Sequence, residues 1–244
     1  SALMAEVFEC HHRQANTIYT YSYGRDDKSA LRQRIIQASD VFREVSSASY
    51  LEIAQQIAAD GIDILVDLKG YTTDARIDIL AYRAAPIQIH WLGYPGTMGT
   101  RLVDYYLADS FTACSSVRAH FDETLVLMPH CYQPNDRRRQ IAAHTGGRAA
   151  YGLPEDAIVL CVFNNTYKIT PSMFRLWMEI LKETPGTVLW SLAYNPYAAD
   201  ALRREAAVCG VAPERIAVSP LVPLERHLAR YQLADLALDT YPVT

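Results

Sequence analysis

At 244 residues with half of them apolar, the chain can bury one large α/β core or two modest ones, which excludes general disorder. Its 23 Lys and Arg against 27 Asp and Glu, a net charge of -4, supply no broad basic surface for gripping phosphate backbones, so a nucleic-acid partner is not expected. Five cysteines without a C-x-x-C pair argue against a disulfide framework or zinc site and fit a reducing, cytoplasmic setting, and no run reaches the roughly 18 to 20 apolar residues of a membrane span.

In chain order, β-rich runs alternate with helix-period segments, the pattern of parallel strands joined by crossover helices. Strands are expected at Thr17 to Tyr23, Ile62 to Leu68, Ile87 to Leu92, Tyr105 to Leu107 and Thr124 to Met128. Between the first two, Tyr50 to Ala59 sets Leu51, Ala54, Ile57 and Ala58 on one face of a helix. Gln133 to Arg148, with Asp136-Arg-Arg-Arg139, His144 and Gly146-Gly147, has little periodicity and reads as a linker. Two domains are therefore expected, 1-138 and 139-244.

The second begins with a strand, Ala157 to Phe163, then a helix capped by Thr170, opened by Pro171 and stopped at Pro185-Gly186, with Met173, Trp177, Ile180 and Leu181 as its buried stripe. Strand Thr187 to Leu192, helix Tyr197 to Val208, strand Arg215 to Val218, helix Pro223 to Leu233 and strand Asp235 to Leu238 follow. Two such α/β halves imply a cleft, and open α/β sheets bind ligands outside the carboxyl ends of their strands. The chain starts without Met and stops just after a strand, so it reads as part of something longer.

Three loops carry candidate chemistry. Cys161-Val-Phe-Asn-Asn-Thr-Tyr-Lys168 runs from a strand to a helix start, placing the Lys168 cation and several donors where phosphate is readily bound. Its plainer reading is an exposed lysine beside turn-forming asparagines. In Pro220-Leu-Val-Pro-Leu-Glu-Arg-His227-Leu-Ala-Arg230, His227 and Arg230 share a helical face beside a stripe of Leu224, Leu228 and Tyr231, so the stripe packs and the basic face meets either a nucleotide or solvent. Ile87-Gln-Ile-His-Trp-Leu-Gly-Tyr-Pro-Gly-Thr-Met-Gly99 ends a strand in a glycine-rich turn, where Trp91 and Tyr94 offer flat surfaces for a sugar or peptide, or where Trp91 simply joins the core.

G-x-G-x-x-G after a strand, the Walker motif, H-E-x-x-H and G-x-S-x-G are all missing from the sequence, which counts against dinucleotide oxidoreductases, P-loop NTPases, zincins and α/β-hydrolases. There is no Asp-x-Asp, so no metal cofactor is expected, and charge on a departing diphosphate would fall to Lys168, Arg230 and backbone N-H groups.

Taken together, several strings identify a family. Gly61-Ile-Asp-Ile-Leu-Val-Asp-Leu-Lys-Gly-Tyr-Thr72 and Pro86-Ile-Gln-Ile-His-Trp-Leu-Gly-Tyr-Pro-Gly-Thr97 resemble the first catalytic half of the protein O-GlcNAc transferases. Tyr151-Gly-Leu-Pro-Glu-Asp-Ala157, Phe163-Asn-Asn-Thr-Tyr-Lys168 and Tyr231-Gln-Leu-Ala-Asp-Leu-Ala-Leu-Asp-Thr240 are similar to its second half. The resemblance implies an α/β fold of GT-B type, two Rossmann-like domains facing a cleft, and inverting transfer of N-acetylglucosamine from UDP-GlcNAc to Ser or Thr hydroxyls of a protein or peptide. It also implies that Lys168 contacts the donor diphosphate with Asn165 beside it, that Val222, His227 and Arg230 form the uridine site, and that Leu92, Gly93, Tyr94 and Pro95 lie where sugar and acceptor sit. Asn165 is one methylene shorter than the Gln often found there. The family's tetratricopeptide repeats, the histidine segment ahead of Ser1 to Met4 and the His-Thr-Thr loop after Thr244 are expected in the remainder of the same polypeptide. The short linker resembles bacterial members. A relative using GDP-fucose or UDP-glucose, and a nucleotide-sugar-binding module without turnover, are the alternatives.

Overall fold

The computed structural model describes residues 2–143, 146–193 and 195–243, so His144 of the expected linker and the terminal Thr244 lie outside the described residues. The chain divides into two compact units, Ser1–Arg138 and Arg139–Thr244.

The first unit opens with α1 (Ala5–Glu9), β1 (Tyr19–Ser22), α2 (Ala30–Ala38) and β2 (Val41–Glu44), the two strands pairing in parallel. The α2 and β2 pair has no counterpart among the expected elements: α2 is too polar to show a stripe, though Ser29 caps it by accepting from Arg32 N. A capping box then starts α3 (Tyr50–Ala59): Glu52 N donates to Ser49 Oγ while Ser49 N donates to the Glu52 carboxylate at 2.7 Å. Its buried residues are Ile53, Ala54 and Ile57, whereas Leu51 and Ala58 are exposed. The expected stripe is thus rotated by one position, because the helix also packs on Val45, just after β2, and on Ile79 of the next helix.

β3 (Ile64–Asp67), α4 (Asp78–Ala81), β4 (Ile87–His90), β5 (Tyr105–Asp109), α5 (Ser115–Arg118) and β6 (Thr124–Met128) complete this unit. The strands form an all-parallel sheet in the order β3-β4-β5-β6. Alternation along each strand sends Gln88, His90, Tyr106 and Ala108 into the core, while Ile64, Val66, Ile87 and Val126 stand on the other face and remain exposed. At the end of the unit, Arg34 bridges Glu9 and Asp136 at 2.8 and 2.7 Å, and Arg137 pairs with Glu6, so ion pairs clamp α1 and α2 to the segment after β6.

The second unit holds β7 (Ile158–Val162), α6 (Pro171–Glu183), β8 (Thr187–Ala193), α7 (Pro196–Val208), β9 (Ile216–Pro220), α8 (Leu224–Arg230) and β10 (Leu236–Ala237), with parallel strands ordered β10-β7-β8-β9. Thr170 caps α6 by accepting from Met173 N, and Pro171 fits the first turn, where no N-H is needed. Trp177 and Leu181 are buried as expected, joined by Phe174 and Met178 rather than Met173 and Ile180. Trp190 crosses the sheet fully buried and donates its Nε1 to Ser219 Oγ at 2.8 Å. Core clusters occupy both faces, and each large aliphatic side chain removed from water contributes roughly 1.5–3 kcal/mol. Arg148 donates to the Ala157 carbonyl and to the Asp235 carboxylate, which also accepts Val159 N, fixing the turn ahead of β7 to the start of β10.

Candidate functional site

In the second unit the candidate residues stand in the loops after β7, β9 and β10. β7 delivers Phe163, Asn164 and Asn165, and the chain then tightens into a 3-10 turn, Thr166–Lys168, in which Lys168 N donates to the Asn165 carbonyl at 2.9 Å. Lys168 is half-buried, and two residues later the α6 N-terminus begins. Asn164 faces the loop after β10, donating its Nδ2 to Asp239 Oδ1 and Thr240 Oγ1, both at 2.7 Å. A cavity of about 280 Å³ lies there, lined by Cys161, Phe163, Asn164, Tyr231, Ala237, Leu238 and Asp239. Neither Lys168 nor Asn165 lines it.

After β9, Leu221 is exposed, Val222 is half-buried, and Pro223 leads into α8. His227 packs its ring 5.3 Å from those of Phe163 and Tyr231, making a three-ring cluster at the end of β7. Arg230 is wholly buried (0% exposed), its guanidinium carbon 5.7 Å from the ring centroids of both Tyr151 and Phe163. Both Nη atoms donate to the Pro220 carbonyl at 3.3 Å, and Nε has no partner. Burial lowers the pKa of each: His227 by desolvation and then by the Arg230 charge, Arg230 by desolvation.

The expected division of α8 into an outward basic face and a packing leucine stripe is reversed. Ala229 and Arg230 are buried, whereas Leu224 is 46% and Tyr231 41% exposed. Leu224, Ala229 and Arg230 all lie within regular α8, whose inward face is set by the Tyr151 and Phe163 rings against Arg230, and the 3-10 turn that follows, Tyr231–Leu233, takes Tyr231 off the 3.6-residue period.

In the first unit β4 ends at His90, and the following turn needs backbone conformations that side chains resist. Leu92 has φ +80°, and a Cβ on Gly93 would fall 2.7 Å from Lys69 Cα in the loop after β3. Trp91 is half-buried and donates its Nε1 to the Tyr132 carbonyl at 2.8 Å, so neither a free sugar platform nor a full core position describes it. Tyr94 meets Tyr71 edge-on at 5.5 Å, and Pro95 is exposed. Asp109 at the end of β5 accepts from Phe111, Thr112 and Tyr132 N-H groups, led by the bonds from Thr112 and Tyr132, which drop its pKa to about 2.

Sequence reasoning passed over one pair. Asp67 and His90 are register partners on β3 and β4, and Asp67 Oδ2 lies 3.1 Å from His90 Nδ1, while His90 Nε2 lies 2.8 Å from the Tyr94 carbonyl. The available signal was a strand-final His four residues before Tyr94 and a strand-final Asp in the neighbouring strand. Among the described residues, no three His, Cys, Asp or Glu side chains gather as a metal would require, and no helix is long and apolar enough to cross a membrane.

Two parallel α/β units with candidate residues in the loops after their strands constitute a fold of the GT-B class. A glycosyltransferase from Rickettsia africae shares that fold at a TM-score of 0.56 and 11% identity, over 92% of this chain and 65% of that one. More specifically, the chain belongs to glycosyl transferase family 41, whose model matches residues 1–147 and 135–243. It is 37% identical to a probable UDP-N-acetylglucosamine-peptide N-acetylglucosaminyltransferase of Arabidopsis thaliana, over 98% of this chain and 25% of that protein. The corresponding transferase of Caenorhabditis elegans is 26% identical, over 98% of this chain and 31% of that protein. A mutant O-GlcNAc transferase from Thermobaculum terrenum superposes at a TM-score of 0.86 with 33% identity, covering 98% of this chain and 45% of that one. The chain therefore spans a quarter to a half of the length of these relatives, and the family resemblance read from the residues is borne out.

Proposed function

We propose that these residues form the core of the catalytic region of an inverting glycosyltransferase that moves N-acetylglucosamine from UDP-GlcNAc to Ser or Thr hydroxyls of proteins. The observation that carries this reading is the family 41 match along nearly all of both units, which includes the Lys168 loop at the carboxyl end of β7. Residues 1-138 serve as the N-terminal catalytic domain and 139-244 as the nucleotide-sugar domain. In the latter, Lys168 meets the charge that builds on the diphosphate as the glycosidic bond breaks, Asn165 supports it, and Val222, His227 and Arg230 seat the uridine. In the former, Leu92, Gly93, Tyr94 and Pro95 shape the sugar and acceptor pocket. A fixed ammonium and N-H groups aimed at a developing oxyanion supply the electrostatic stabilisation otherwise drawn from a metal, and the proposed reaction uses none.

The partners proposed are the UDP-sugar and a protein or peptide acceptor recruited by tetratricopeptide repeats elsewhere in the polypeptide, in the cytoplasm. Incubating the full-length protein and an acceptor peptide with UDP-GlcNAc, UDP-glucose and GDP-fucose separately, then weighing the product, tests the reading. A peptide heavier by one N-acetylhexosamine, from UDP-GlcNAc alone, is the expected result. A hexose or deoxyhexose adduct moves the protein to a different donor, and UDP binding without any adduct makes it a binding module.

A further inference from the structure

His90 is fully buried (0% exposed), on the final position of β4, and is not among the residues the functional reading uses. Both of its ring nitrogens face acceptors. Nδ1 meets the Asp67 carboxylate at 3.1 Å, and Nε2 meets the Tyr94 carbonyl, which can only accept, at 2.8 Å. Asp67 itself also accepts from Gly70 N at 2.7 Å and Lys69 N at 3.2 Å, so it shapes the loop after β3. One imidazole thus joins two loops: through Asp67 it is bonded to the loop after β3, and through the Tyr94 carbonyl it spans the turn after β4.

The packing around the ring leaves it no freedom. A Cβ on Gly70 would fall 2.5 Å from His90 Cε1, and the Tyr106 ring of β5 lies 5.4 Å away on another side. The turn that the ring spans holds Leu92 at φ +80°, and within it the backbone is closed by Gly93 N donating to the Trp91 carbonyl at 3.1 Å. A non-glycine residue stays in that region only when its surroundings determine it. Pressing Gly93 against the Lys69 backbone supplies one constraint and the His90 bond to Tyr94 the other.

We propose that His90, with Asp67 behind it, is a positioning residue for glycosyl transfer that clasps the Leu92 to Pro95 turn in the shape the sugar and acceptor require. This rests on the reading of that turn as the sugar and acceptor pocket. His90 touches no substrate; it acts through the Tyr94 carbonyl. Acceptors at both nitrogens favour a ring that donates from each, the imidazolium form. Burial opposes that charge, and the bonds to Asp67 and Tyr94 outweigh it, raising the pKa above the usual histidine value. Among the described contacts of the ring, Asp67 is the carboxylate, and the rings of Tyr94 and Tyr106 are the other titratable groups beside it.

The test uses the full-length protein and the variants His90→Gln and Asp67→Asn. A glutamine offers one amide nitrogen and cannot reach both acceptors as the ring does. Each variant is expected to lower kcat/KM for transfer from UDP-GlcNAc by about 10- to 100-fold, since a small displacement of a positioned group has effects of that size. UDP affinity by calorimetry, which depends on the second unit, is expected to stay within about twofold. In the unaltered protein, labelled with ¹⁵N-histidine, both His90 nitrogens should resonate as protonated at pH 7. A folded His90→Gln protein with unchanged kcat/KM, or a His90 ring neutral at pH 7, overturns the proposal. Should His90→Gln not fold, Asp67→Asn and the nitrogen resonances decide it. No transfer by the unaltered protein with any nucleotide sugar would instead sink the functional reading, and the resonances would still decide whether His90 is the clasp.

Discussion

Arg230 and Phe163 stand with guanidinium carbon and ring centroid 5.7 Å apart at the carboxyl end of β7, with Arg230 out of contact with water. A buried cation normally has a carboxylate against it. Arg230 has two aromatic faces, one carbonyl and an Nε with no partner, and burial depresses its pKa. Its charge is therefore not balanced by the described contacts of the fold, and a nucleotide would supply what is missing. Replacing a buried charge of this kind with an apolar side chain of similar length is often neutral or stabilising. Arg230→Met should therefore leave the melting temperature unchanged or raised, yet weaken UDP binding by about 10- to 100-fold, the size of one hydrogen bond to a charged group. Calorimetry beside a thermal melt separates the two, and a large stability loss with normal UDP affinity would make Arg230 a purely structural residue.

Lys168 differs in being half-buried at the α6 entrance. Lys168→Ala should reduce kcat by on the order of 10² to 10³, the usual effect of removing one donor aimed at developing charge, with a smaller change in donor affinity. Steady-state kinetics of the full-length protein check this, and near-normal turnover with normal donor affinity counts against the assigned role.

Gly93 is tested by adding a single carbon. Its Cβ would meet the Lys69 backbone rather than a flexible side chain, so nothing can swing aside. Gly93→Ala should destabilise the first unit by about 1–3 kcal/mol, the cost of overpacking, visible as a lower denaturant midpoint. Gly99→Ala is the control: unlike Gly93 it has a positive φ, at +61°, but with no neighbour within reach of a Cβ it should cost less.

The alternation of strands and helices was legible because each buried strand is a short apolar run, and the Thr170-Pro171 helix start followed from capping chemistry that is local in sequence. The α2 and β2 pair was not, since α2 buries only Ala38 and β2 has no alternating pattern. The orientation of α8 was not legible because Arg230 finds its aromatic neighbours on Tyr151 and Phe163, far away in sequence. Asp67 and His90 were passed over for a related reason: they meet through strand register, 23 positions apart, which no local pattern encodes.

Buried His90 and half-buried His227 should make stability depend on pH in opposite directions. His90 has a folded pKa raised above the ordinary 6.5, so below 6.5 folded and unfolded chains are both protonated there and the Asp67 and Tyr94 bonds contribute in full. As pH rises from 6.5 through the raised value, the unfolded chain gives up its proton first and that contribution is lost. His227 has a lowered folded pKa, so its neutral ring packs without penalty above 6.5, and stability falls as pH drops below 6.5 because the unfolded chain takes up the proton more readily. Urea unfolding of the unaltered protein and of His90→Gln across pH 5 to 9 reads the first effect as a difference: the variant's deficit should be largest at the acid end and shrink above 6.5. His227→Phe, which keeps a ring against Phe163 and Tyr231, should instead gain on the unaltered protein as pH falls below 6.5. A deficit for His90→Gln that grows with rising pH would mean that the ring is neutral in the fold and that Asp67 does not hold its proton.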